Sequence, residues 1–535
     1  MTQVNEKNSP STADPTPEDP KNKKPLKIRI HLLCDGTANN KTNIAEREKY
    51  EVGVTSNSLA YQKYGGDGDN SYDNGRTNVA IMEPHVEGGE KRNGYEMVVK
   101  VYVEGQGTQQ LKKDDKQGLA LGSGLTGVYS RAREGINLAL GKLQREFLKN
   151  NAPEDYFIKQ VDIDVFGFSR GAATARHAIH TILTEETMTI SDPDGYGAET
   201  IVVTHPLFQR LRLLGYTETR ADQIKIKFAG LYDTVVSVNG SQLAPAWMAN
   251  NTRDQRAVAK AEFALHLAAV DEHREDFPLH TIASSIKAGK GAEYYLPGVH
   301  SDVGGSYNQA NDYLLDNQIK DATIRQISES GKVYSERKIQ GLEYARTSDE
   351  VGRIINFGRV SDLEEDRKHL MDAGWYKEDQ IWIETDYFAT AAKAGNLIGM
   401  LINGSPESGK LITTRIGIKS AYSNIPLKIM VKHARDWGLQ IKNKLDERAD
   451  ITLATEPDLQ ELEKDINAYI AKKGKTGSEP DDWLNVDTAK THHSNIKKIR
   501  NEHMHMSSRT DAFIKDFGYT PRIKNNLRRR FYYEG

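Results

Sequence analysis

The sequence predicts an α/β fold with a mostly parallel sheet, and three stretches carry that prediction. Val161-Asp162-Ile163-Asp164-Val165-Phe166 alternates as a strand does, breaks at Gly167-Phe168-Ser169-Arg170-Gly171, and resumes as the small, helix-forming Ala172-Ala173-Thr174-Ala175-Arg176. Lys27-Ile28-Arg29-Ile30-His31-Leu32-Leu33-Cys34 is a second strand-like run, broken by the polar turn Asp35-Gly36-Thr37-Ala38-Asn39-Asn40. Ile224-Lys225-Ile226-Lys227-Phe228-Ala229-Gly230-Leu231-Tyr232 is a third, and it delivers Asp233 to the carboxyl edge of the sheet. Strands, sharp turns and helices in this order build a layered α/β core whose loops gather at one edge.

Within that frame the turn at Ser169 has the form of a nucleophile elbow. A serine on a sharp strand-to-helix turn needs glycine two residues to either side, because a Cβ there would strike neighbouring backbone. The expected core is therefore α/β-hydrolase-like. Its serine requires a histidine base and a carboxylate to orient that base, in the chain order Ser, Asp or Glu, His. Asp233 and His300 supply that order. Gly298, Gly304 and Gly305 flank His300 and let its loop approach closely. Asp302, two residues later, is the alternative acid. The oxyanion hole is expected from the backbone N–H of Arg170 and a second N–H from the turn at Gly36 and Thr37.

Taken together, five motifs resemble one family. They are Cys34 to Asn40, the glycine-rich stretch Gly118 to Gly127, the elbow at Ser169, Tyr232-Asp233-Thr234, and His300-Ser301-Asp302-Val303-Gly304-Gly305. They are similar to the lipase effectors of the bacterial type VI secretion system, in the branch with Gly-x-Ser-x-Gly and an early Asp-Gly-Thr (family 1). The resemblance covers roughly residues 27 to 310 and runs on, less specifically, through Tyr422 to about Trp437. It implies an antibacterial phospholipase of A1 or A2 type, with a Ser169-Asp233-His300 triad and no cofactor or metal. It also implies membrane phospholipids as substrate, a secretion spike or adaptor as carrier, and a cognate immunity protein. The expected route is from the cytoplasm of the producing cell to the periplasm or membrane of a target bacterium. The alternatives are a soluble carboxylesterase and a non-catalytic delivery or binding module with a degenerate hydrolase core.

The rest of the chain qualifies this reading. Its 535 residues carry 72 basic and 75 acidic side chains, a net charge of −3, which gives no global signature of nucleic-acid binding. Cys34 is the single cysteine, so no internal disulfide can form, and it reads as a small buried strand residue. Residues 1–25 read as a disordered polar tail without the apolar region of a signal peptide, 26–310 as the catalytic core, 311–420 as an insertion, lid or membrane-interacting region, and 421–535 as helices packing on the core. The added region is expected to be largely helical, with charged helical stretches from Asn311 onward. Trp375, Trp382, Phe388, Leu397, Ile398 and Leu401 are candidate membrane or substrate contacts there, with core packing as the simpler account. Asp192 to Gly197 reads as an inserted loop. Asp67 to Asp73 lacks the glycine and glutamate of a calcium loop and reads as a polar turn. His492, His493, His503 and His505 lack the spacing of a zinc site and read as packing or surface residues. Arg528 to Arg530 read as a solvated end.

Overall fold

The alternating run at 161–166 lies inside a strand of 13 residues, β4 (Tyr156–Phe168), in the computed structural model. The structure describes residues 20, 22–51, 53, 58–65, 70–183, 185–191, 198–204, 206–236, 255–272, 274, 277–307, 322–327, 333–339, 353–385, 408–413, 415, 418–443, 445, 453–474, 477–506 and 532–533. The other strands of the main sheet are β1 (Lys24–Cys34), β2 (Gly89–Arg92), β3 (Tyr95–Val103), β5 (Ile224–Tyr232), β6 (Phe263–Ala269) and β7 (Gly291–Leu296). They lie in the order β7-β6-β5-β4-β1-β3-β2. Every pairing is parallel except that of the short edge strand β2 with β3. The α/β fold with a mostly parallel sheet is therefore the observed one.

A parallel sheet must be covered on both faces, and the two faces of β1 show how. Leu26, Ile28, Ile30, Leu32 and Cys34 enter one apolar core with Ala132, Ile136, Ala139 and Leu143 of α2 (Val128–Glu146) and Ala172, Ala175, Ile179 and Ile182 of α3 (Arg170–Leu183). Leu33 enters the other core, with Phe166, Phe168, Tyr232 and Leu267 from the sheet. That second core is closed by residues from far down the chain: Tyr422, Ile425, Met430, Leu462, Ile466, Trp483 and Ile496. They come from α5 (Asn424–Asp436), α6 (Pro457–Lys473), α7 (Ile496–His503) and the segments beside them.

The polar positions of the central strands are buried beneath this second layer. Arg29 grips Asp164 with Nε and Nη2 at 2.8 and 3.1 Å, and its Nη1 and Nη2 donate to the carbonyls of Gly438 and Trp437 at 2.8 and 2.9 Å. The guanidinium thus satisfies carbonyls left over at the end of α5 while its charge is matched inside the sheet. Tyr95 donates to Asp162 at 2.5 Å. The polar half of the 161–166 alternation consequently faces protein, not water.

Among the described residues between 311 and 420, strands outnumber the charged helical stretches expected from the sequence. The described parts are Ala322–Ile327 paired with Val333–Ile339, a three-stranded antiparallel sheet of Arg353–Arg359, Ser408–Thr413 and Ile381–Thr385, and one helix, Val360–Asp372. The helical addition lies after 420. Among the described residues no helix is long and apolar enough to cross a membrane.

Candidate active site

Ser169 sits at the junction of β4 and α3 with φ of 58°, a left-handed conformation that costs a non-glycine residue about 1 kcal/mol. The surroundings impose it. Ser169 N–H donates to the Tyr232 carbonyl at 3.1 Å, and its carbonyl accepts from Ala172 and Ala173 at 3.0 and 3.3 Å. A Cβ on Gly167 would lie 2.4 Å from the Gly171 carbonyl oxygen, and one on Gly171 would lie 2.2 Å from that of Asp35. The turn can close only because both positions are bare.

Asp233 follows β5, also with positive φ (41°), and is fully buried. Its N–H donates to the Leu267 carbonyl at 2.8 Å, and its Oδ1 accepts from Ala269 N–H at 2.8 Å. The second oxygen, Oδ2, meets His300 Nδ1 in a short hydrogen bond. His300 opens the short helix α4 (His300–Gly304), and its ring lies between Phe168 at 4.5 Å and Phe277 at 4.9 Å between centroids. Phe168 is the residue before Ser169, so this ring contact brings the histidine to the elbow. Asp302 is turned elsewhere: its Oδ1 meets His505 Nδ1 at 2.7 Å, and its Oδ2 accepts from Val299 and His505 N–H. Of the two acids considered, Asp233 is the one on His300.

A second His–carboxylate pair lies directly under the first. Thr234 N–H donates to His266 Nε2 at 3.0 Å, which makes that nitrogen an acceptor and leaves the ring proton on Nδ1, 2.7 Å from Glu293 Oε2. Glu293 also accepts from Ile282 N–H and Tyr295 hydroxyl at 2.9 and 2.8 Å. Burial pushes its carboxyl up, and these bonds, that from His266 foremost, bring it below the usual range. The pair fixes the residue next to Asp233. Sequence reading missed it, although a histidine and a glutamate inside the apolar runs of β6 and β7 were a usable signal.

The turn after β1 corrects one expectation. The N–H of Gly36 donates to Asp35 Oδ1 at 2.8 Å, so it is not free for an oxyanion. Asp35 is buried, accepts from Thr77 Oγ1 at 2.5 Å and from Tyr102 hydroxyl, and braces the turn; burial raises its carboxyl despite these bonds. The N–H of Thr37 has no partner among the described residues, and that of Arg170 opens α3. The Arg170 side chain joins the two. Its Nε donates to Thr37 Oγ1 at 2.7 Å, while Nη1 and Nη2 reach the Gly118 and Leu119 carbonyls. Burial pulls the guanidinium down to about 10, and no carboxylate pairs with it among the described residues. Cys34, next to this turn, is buried with its thiol pushed up to about 12 and is inert.

The candidate membrane contacts fare differently. Trp375 is 5% exposed and packs in the second core near the guanidinium groups of Arg415 and Arg500, so it is no surface contact. Trp382 is half-buried in the strand Ile381–Thr385. Phe388, Leu397, Ile398 and Leu401 lie outside the described residues, as do Asp192 to Gly197, Arg528 to Arg530 and the first part of the Asp67 loop. The described part of that loop is a polar turn: Asn70 Oδ1 accepts from the N–H of Tyr72 and Asp73. His493 and His505 each bond a separate aspartate, and no cluster fit for a metal is found among the described residues.

Residues 204–329 match the family model for the catalytic domain of the Tle1-like phospholipase effectors of type VI secretion. The likeness to that family lies in this stretch of the chain. The matched stretch holds Asp233 and His300 and begins after Ser169. The fold is similar to that in a structure described as the Tle1 effector bound to the VgrG spike from the type 6 secretion system, with a TM-score of 0.51 at 17% identity over 96% of this chain and 94% of that one. A crystal structure of an uncharacterized protein from Pseudomonas aeruginosa overlaps 54% of this chain and 43% of that one at 20% identity, and its TM-score of 0.28 is too low to build on. No curated protein matches the chain.

Proposed function

We propose that the protein is a Tle1-like effector that hydrolyses acyl esters of membrane phospholipids through Ser169, His300 and Asp233. The observation that carries the proposal is the contact of Asp233 with His300 Nδ1, its other oxygen being held by Ala269 N–H. That contact places the ring proton on Nδ1 and the lone pair that can accept a proton on Nε2. Nε2 takes the Ser169 proton as Oγ adds to the ester carbonyl carbon, and the N–H groups of Arg170 and Thr37 receive the oxyanion. The tetrahedral centre then expels the lysophospholipid oxygen, which leaves with the proton from His300. Water, deprotonated by the same nitrogen, adds to the acyl-enzyme; the fatty acid departs and Ser169 regains its proton. Dependence on a spike for delivery, and an immunity protein that protects the producer, belong to the same proposal; the similar structure of a Tle1 effector on the VgrG spike supports the first.

The test is fatty-acid release from phospholipid vesicles by the wild type and by Ser169→Ala, with fold checked by circular dichroism. Release should fall on the order of ten-thousandfold in the variant. Equal release by both would sink the serine mechanism. Ser169-dependent cleavage of short-chain esters with no action on vesicles would make the chain a soluble esterase instead.

A further inference from the structure

The glycine-rich stretch Gly118 to Gly127 does more than receive the Arg170 side chain. It folds as α1 (Lys116–Leu121) and a 3-10 turn, Gly124–Thr126, joined through Gly122, which has φ of 58°. The carboxylates of this segment are spent internally. Asp114 accepts from Ser71 N–H and Oγ at 2.7 and 2.6 Å, and Asp115 caps α1 through Gln117 N–H and accepts from Thr126 Oγ1 at 2.6 Å. Outward point Leu111, Leu121 and Leu125, which are 42%, 36% and 91% exposed, and the exposed Lys112, Lys113 and Lys116. None of these lysines has an ion-pair partner among the described residues. Arg170, the residue after Ser169, ties α1 directly to the elbow through the Gly118 and Leu119 carbonyls.

We propose that this face seats the enzyme on an anionic phospholipid surface. Leu121 and Leu125 enter the acyl boundary, while the three lysines meet headgroup phosphates. The occupant follows from charge. Three exposed lysines against two partly buried, hydrogen-bonded aspartates leave this segment locally cationic beside its protruding leucines, on a chain whose net charge of −3 provides no overall attraction to an anionic membrane. The segment is tied by Arg170 to the Ser169 turn, so docking through it orients the site toward lipid. This assignment rests on the phospholipase reading and adds to it the surface that presents the substrate.

Flotation of the full chain carrying Ser169→Ala, so that no lipid is consumed, tests it with vesicles of phosphatidylglycerol and of phosphatidylcholine. Binding should favour phosphatidylglycerol and weaken with salt. Lys112→Glu, Lys113→Glu and Lys116→Glu together should weaken it about a hundredfold. Leu121→Ser with Leu125→Ser should weaken binding to both vesicles on the order of tenfold. Leu213→Ser, at a leucine 84% exposed on another helix, should change nothing. The proposal is overturned if the variants of this face float like the parent with unchanged circular dichroism, or if Leu213→Ser is as damaging. A parent that floats on neither vesicle also overturns it and hands the face to a protein partner. Because binding is read in a chain without its serine, such a failure is separate from a failure of the wild type to release fatty acid.

Discussion

At Arg170 one residue contributes a main-chain donor and a side-chain brace. Its N–H opens α3 at the elbow, and its guanidinium holds Thr37 by the hydroxyl, beside the second N–H proposed for the oxyanion. Replacing it with methionine keeps the donor and removes the brace. Turnover of a soluble ester should then drop roughly tenfold to a hundredfold with little change in KM, less than the loss of a whole donor; an unchanged kcat would show that the turn holds itself. Gly171→Ala tests the elbow sterically. Its Cβ would sit 2.2 Å from the Asp35 carbonyl oxygen, so the strand-to-turn junction of β1 must shift. A loss of about 1–3 kcal/mol in urea unfolding, with activity falling alongside, is the expected outcome.

The strand ends, rather than single side chains, set the positions of Asp233 and His300. β5 presents Asp233, and β6 fixes it twice, through the Leu267 carbonyl and the Ala269 N–H. The next residue, Thr234, is held by His266 of β6, which leans on Glu293 of β7. Three adjacent parallel strands are thereby locked in register under the carboxylate. His266→Phe would leave the buried Thr234 N–H without its acceptor and take one of three hydrogen bonds from the buried Glu293, and should destabilise the fold by about 3–5 kcal/mol. His266→Gln, whose side-chain carbonyl can take the place of Nε2 and accept from Thr234 N–H, should recover part of the kcat lost in the phenylalanine variant. If both variants have the same kcat and stability, the hydrogen bond contributes nothing to positioning.

Over the whole molecule, the second core binds the early sheet to helices more than 400 positions away, as the Arg29 contacts with Trp437 and Gly438 show. Acid should loosen that layer through His503. The ring is buried in α7, and desolvation lowers it from 6.5 to about 4; Glu456, 3.9 Å away, and Asp458 oppose the shift, while Lys419 and Lys498 add to it. Because the folded value is depressed, the unfolded chain takes up a proton first as pH falls below 6.5. The contribution is complete above that point and is lost progressively toward 4, at up to about 1.4 kcal/mol per pH unit. Thermal unfolding between pH 7 and pH 4 should show the decline, and His503→Gln should flatten it; an identical slope in both would assign the effect elsewhere. The sequence by itself determined what short-range sterics demand: a strand, a glycine-bounded serine turn and a small-residue helix, together with the α/β class. It also singled out Asp233 and His300, which the fold brings into contact. It could not tell that the aspartates alternating through β4 are buried, because a period of two says which residues share a face and not what covers it. The loss of Gly36 N–H to Asp35, the burial of Trp375, the His266–Glu293 support and the cationic segment at α1 were likewise decided only by tertiary structure. Each depends on a partner brought near by packing, and local sequence holds no record of such partners.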